Sequence, residues 1–168
     1  MCLLDEVMNW DANHLRGRSG THRSAAHPLL RNGRLGIACG IEYVVQAMAV
    51  HGALAGAAPA KTASASAAPV RAAPARAAPA RAAPATRAAS TPAKPAIGFL
   101  AGLRDVRMHA TRLDDIDSDL VCDVRRIAGD ASTALYSFDL SALGRCLLEG
   151  RATVVLDAGG LPTGYSRP

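Results

Sequence analysis

Between residues 57 and 96 the chain is written almost entirely in alanine, proline, serine, threonine and basic residues, with a five-residue RAAPA unit repeating from Arg71 to Ala85. Proline at that frequency interrupts any continuous helix, and the stretch lacks the apolar bulk that would offset the entropy of ordering it. It is expected to be a flexible tether with polyproline-II character. A core must then come from 1–56 and 97–157 together, a single domain split by an insertion, with 158–168 a loose tail. Neither flank suffices alone: the first holds two short strands and one helix, the second four strands with no helix to cover them.

The formal net charge of +5 has to be located before it is interpreted. The tether contributes Lys61, Arg71, Arg76, Arg81, Arg87 and Lys94 and no acid, so the remainder is one charge on the negative side of neutral. A basic tract without interleaved aromatics attracts polyanions only weakly and without sequence preference, so nucleic acid is not an expected partner. Cys2, Cys39, Cys122 and Cys146 form no CxxC pair and have no histidine at ligand spacing, which suggests neither a metal site nor a disulfide framework. They read as reduced core thiols of a cytoplasmic protein. The opening MCLLDEVMNW carries acids where a secretory signal would be basic, and a first strand that begins at Met1 has no lead-in.

Residues 40–52, GIEYVVQAMAVHG, form an apolar run interrupted by Glu42 and Gln46, one helical turn apart on one face. No broad polar stripe is left, so other structure should wrap this helix on most sides, and the glycine- and alanine-rich continuation to residue 60 argues against a membrane span. A carboxylate in such a place either answers the helix dipole at its exposed start or is held in apolar surroundings that raise its pKa, as a general acid requires. Gly40 at the helix entrance admits close approach to first-turn N–H groups, which can hold a polarised carbonyl oxygen. The preceding loop, 21–36, brings His22 and His27 towards that entrance, although a loop histidine can equally be solvated.

Residues 2–8 and 13–19 look like extended segments joined by a turn at 9–12, though neither is strongly periodic; strand periodicity then marks four strands at 97–113, 119–127, 133–143 and 146–157. In the first of these four, Val106, Met108 and Ala110 alternate with Arg107, His109 and Thr111; the close spacing of successive strands implies an antiparallel sheet.

Two strands, a buried helix and four antiparallel strands resemble the hotdog fold, an α+β arrangement in which one long central helix lies in the curl of an antiparallel sheet. CLLDEV at 2–7, GIEYVVQAMAVHG at 40–52, LRDVRMH at 103–109 and LLEGRATVVLD at 147–157 are similar to the 3-hydroxyacyl-(acyl-carrier-protein) dehydratases, above all to the branch associated with aryl polyene biosynthesis. The resemblance implies dehydration of carrier-bound 3-hydroxyacyl thioesters to trans-2-enoyl thioesters. It places the helix acid at Glu42 and the glutamine one turn later at Gln46, with Gly40 and Ile41 at the substrate carbonyl. In that family a loop histidine and the acid of a neighbouring subunit's helix share a tunnel across a dimer interface. His27-Pro28 stands where the family has His-Phe-Pro-Gly, without the Phe and Gly, and His22 is the other candidate base. The implied partners are an acyl carrier protein with its phosphopantetheine arm, for which Arg23, Arg31 and Arg34 are candidate contacts, and a second hotdog subunit in a homodimer or heterodimer. No metal or organic cofactor is implied. A non-catalytic partner subunit of a dehydratase pair and an acyl thioesterase are the alternatives on the same fold.

Overall fold

The computed structural model describes residues 2–57, 97–130 and 132–157; the tether expected at 57–96 and the tail expected at 158–168 fall, apart from Ala57, outside them. The elements are β1 (Glu6–Trp10), β2 (His14–Ser19), α1 (Gly40–Ala57), β3 (Ile97–Met108), β4 (Leu120–Gly129), β5 (Thr133–Ala142) and β6 (Arg145–Asp157). Single turns of 3-10 helix occur at Thr21–Arg23 and Ile37–Cys39. The strands form one antiparallel sheet in the order β1-β2-β4-β5-β6-β3. Because β2 pairs with β4, the segments on either side of residues 57–96 share one sheet and one apolar core.

The register is set by alternation. In β5 every even-numbered residue from Ala134 to Ala142 is buried and every odd one half-buried, so Tyr136, Phe138 and Leu140 face α1 while Ser137 and Asp139 face away. Leu120, Cys122 and Val124 do the same on β4. The hairpin closing β5 onto β6 turns at Leu143 and Gly144, both at positive φ (50° and 75°), the backbone of a primed two-residue turn. Asn32 and Gly33 (52° and 71°) make a matching turn in the loop before the helix, where Arg31 and Arg34 bridge.

Two expectations need correction. The strand assigned to 97–113 is shorter: β3 ends at Met108, which pairs with buried Leu148 and so faces the inner side, yet is 47% exposed at the sheet edge. A bulge in which Asp105 (φ 54°) and Val106 together oppose Gly150 interrupts the strand, and after it Arg107, Met108 and His109 keep the expected alternation. Likewise α1 is not wrapped on most sides within this chain. The sheet receives Tyr43, Val44, Ala47, Met48 and His51, whereas Ile41, Glu42, Val45 and Gln46 are half-buried and Ala49 is exposed. By length and composition Ile37–Gly56 is apolar enough to cross a membrane, but the sheet occupies one whole face of it, as in a core helix. Of the cysteines only Cys122 is a core residue; Cys2 is exposed and Cys39 and Cys146 are half-buried, all with free thiols.

Candidate functional site

The helix entrance is assembled from three directions. Ile37–Cys39 leads straight into α1, and the segment before it is bound to the β3–β4 loop: Ile37 donates its N–H to Thr111 O (3.0 Å), Leu113 to Leu35 O (2.8 Å) and Leu35 to the Asp114 carboxylate (2.7 Å). The paired Arg112 guanidinium holds Asp114 well below the usual carboxylate range, so this anchor stays charged. Gly40 is buried, and a Cβ there would lie 2.7 Å from Leu140 Cδ2 and 3.0 Å from Leu148 Cδ2. Its missing side chain therefore brings the helix start onto the sheet. Its N–H is directed at Ile37 O and Ala38 O, so first-turn donors for a ligand would come from residues after it.

From Glu42 a chain of hydrogen bonds runs back through the protein to His27. Gln46 Nε2 donates to Glu42 Oε1 (3.1 Å), and Gln46 Oε1 accepts the N–H of Leu3 (2.8 Å). Leu3 O accepts from the Ser19 hydroxyl and the Thr21 hydroxyl (3.0 Å), and Thr21 Oγ1 lies 3.0 Å from the Tyr43 hydroxyl. Tyr43 in turn lies 3.0 Å from His27 Nε2. The proton order follows from the far end. Leu29 donates its N–H to His27 Nδ1 (3.2 Å), so Nδ1 carries the lone pair and the proton of the neutral ring sits on Nε2, donated to Tyr43. Tyr43 then donates to Thr21, which leaves Thr21 its own proton for Leu3 O.

Burial favours the uncharged forms throughout. His27 is buried and its pKa is lowered, first by desolvation and then by the charge of His22 nearby. Tyr43, fully buried, has its pKa raised by desolvation. His22 is also fully buried: Nε2 donates to Ile116 O (2.9 Å), Nδ1 has no hydrogen-bond partner, and desolvation lowers its pKa. The neutral imidazole expected of a base is present at both positions, but neither ring opens to solvent.

Glu42 and Gln46 share the half-buried side of α1 with Ile41 and Val45, as their spacing predicts. Arg23 is committed to Asp119 (2.6 Å) and Asp117 O (2.9 Å), while Arg31 and Arg34 stand exposed on the Asn32-Gly33 hairpin. Sequence reasoning passed over Tyr43, the hub of this network. The available signal was a tyrosine inside an apolar helix, whose hydroxyl must find a partner when buried. His51 was passed over similarly: it is fully buried, its Nδ1 2.9 Å from the Tyr136 hydroxyl and its Nε2 3.1 Å from Asp11 O, and it ties the helix to β5 and the β1–β2 turn.

This architecture is shared with solved structures. A chain of the dehydratase heterocomplex ApeI:P from Xenorhabdus doucetiae superposes with a TM-score of 0.64 at 20% identity, over 93% of this chain and 83% of that one. A hypothetical thioesterase with coenzyme A from Streptococcus pneumoniae gives 0.54 at 10% identity (90% and 84% covered), and S. sahachiroi AziG gives 0.53 at 10% identity (90% and 89%). The chain has the hotdog fold. No protein-family profile matches it, and no curated protein does.

Proposed function

We propose that this chain acts on acyl thioesters as one subunit of a hotdog dehydratase pair, converting carrier-bound 3-hydroxyacyl thioesters to trans-2-enoyl thioesters. The observation that carries this reading is the run of hydrogen bonds that holds Glu42 on the half-open side of α1 while both nitrogens of His27 are engaged. Elimination of water needs a base for the α-proton, an acid for the departing hydroxyl and donors for the thioester oxygen. Glu42, oriented by Gln46, supplies the acid, and the first-turn N–H groups beyond Gly40, beside Ile41, supply the donors.

His27 is the base by resemblance, but its Nε2 carries a proton aimed at Tyr43 and its Nδ1 is taken by Leu29. That favours the pairing form of the function, in which a second hotdog subunit brings the base to Glu42 across the interface. Two surfaces suit such a partner: the open side of α1, and edge strand β3, where Phe99, Leu100 and Met108 are 40%, 40% and 47% exposed. The similarity to a chain of a dehydratase heterocomplex accords with it. Arg31 and Arg34 are the proposed contacts for an acidic carrier protein.

The test is to mix the purified chain, alone and with a candidate hotdog partner, with a 3-hydroxyacyl thioester and follow enoyl absorbance and free thiol. Enoyl product is expected only from the pair, lost in Glu42→Gln and kept in His27→Gln. Product from the chain alone would return the base to His27 or His22, and thiol release would make it a thioesterase.

A further inference from the structure

Outside the helix entrance, a second group of chemically capable side chains lies on the far face of the sheet. A row of cross-strand neighbours runs Arg16, Asp123, Asp139, Glu149, Arg107 over β2, β4, β5, β6 and β3. Asp123 is engaged by His14 Nε2 (2.8 Å), which leaves Asp139 and Glu149 side by side, and the flanking Arg107, 75% exposed, comes no nearer to Glu149 than 3.9 Å. His109, two residues beyond Arg107, points to the same face and places Nε2 3.2 Å from Glu149 Oε1.

Cys146 joins them through a bulge. Three residues apart on a regular strand, Cys146 and Glu149 would face opposite sides. Here Leu140 pairs with Leu148 and Ser141 with Cys146, so Leu147 is an extra residue; Leu147 and Leu148 are both buried and Cys146 is returned to the outer face. Asp139 is the cross-strand neighbour of Glu149 on the same face, and the ligand atoms of His109, Cys146 and Glu149 all lie within 4.8 Å of one another. In a tetrahedral zinc site, N–O and S–N edges measure about 3.4 Å and about 3.6 Å. The His109–Glu149 edge is already there, and the half-exposed Glu149 and His109 have room to close on the sulfur.

We propose that His109, Cys146 and Glu149 form a binding site for a zinc-class divalent cation, with Asp139 or a water completing the tetrahedron. A thiolate with an imidazole and a carboxylate selects zinc or cobalt over magnesium and calcium. On binding, the Cys146 thiol loses its proton to solvent by way of Asp139, and the His109 proton resides on Nδ1. The cation places a positive charge against the neighbouring carboxylates of Asp139 and Glu149. Because His109 follows directly on β3, the ion clamps the end of that edge strand to β6.

The experiment is a cobalt(II) titration of the reduced, chelator-stripped full chain, followed by competition with zinc. A sulfur-to-cobalt charge-transfer band saturating at one equivalent and displaced by zinc is expected. Cys146→Ser should abolish the band, His109→Ala or Glu149→Gln should weaken cobalt binding at least about tenfold, and Cys2→Ser should leave it unchanged. Circular dichroism melts establish that each variant is folded. A folded wild-type chain with no band, or a band that survives Cys146→Ser, overturns the proposal.

Discussion

His27 Nε2 and the Tyr43 hydroxyl are 3.0 Å apart, their rings stacked with an interplanar angle of 16°, and this pairing fixes the loop histidine to the helix it precedes. The contact has a mechanical meaning besides its chemical one, because it secures the otherwise irregular 21–36 loop to the core.

Removing the hydroxyl tests that. Tyr43→Phe leaves the packing volume in place but strands the Nε2 proton of His27 and a lone pair of Thr21, so unfolding in urea should show a loss of about 1–3 kcal/mol. An unchanged midpoint would mean that the network contributes nothing net.

The buried imidazoles make stability depend on pH in a definite direction. His22, His27 and His51 all have pKa values lowered from 6.5, burial being the largest cause in each. The unfolded chain therefore binds more protons than the folded one just below that value. The neutral rings' contribution is complete above pH 6.5 and is lost as pH falls towards the depressed folded values. Urea midpoints should be flat from about pH 8 to about pH 7 and drop by about pH 5.5. A midpoint that rises on acidification would contradict this burial.

Glycines 40 and 52 should respond oppositely to alanine. At Gly40 the added methyl meets Leu140 and Leu148 in the core, and overpacking there should cost about 1–3 kcal/mol. At exposed Gly52 a Cβ meets nothing within 4 Å, and alanine should stabilise the helix by about 0.5–1 kcal/mol. Melting temperatures of the two variants, shifted down and up, provide the comparison.

Leu143 holds φ 50° at the β5–β6 turn while 85% exposed. A side chain that packs against little and sits in the left-handed region is replaceable: Leu143→Asn should raise stability by about 1 kcal/mol, read as a higher melting temperature.

Much of this protein was legible in its order of residues. The period-two burial of β4 and β5, the helix from Gly40 and the shared face of Glu42 and Gln46 follow from local geometry, since a side chain's face depends only on its position in a regular element. Regularity is also where that legibility stops. A bulge inserts one residue without any mark in composition, so the meeting of Cys146 with Glu149 came only from pairing between strands. The partners of His27 and His51 were equally hidden: Tyr43 and Tyr136 lie 16 and 85 positions away, and only the folded sheet and helix bring those hydroxyls to the rings. Local periodicity decided which elements form and which way they face, whereas the proton on His27, the packing of Gly40 and the gathering of His109, Cys146 and Glu149 were decided by contacts between elements, because those energies depend on distances that no single segment specifies.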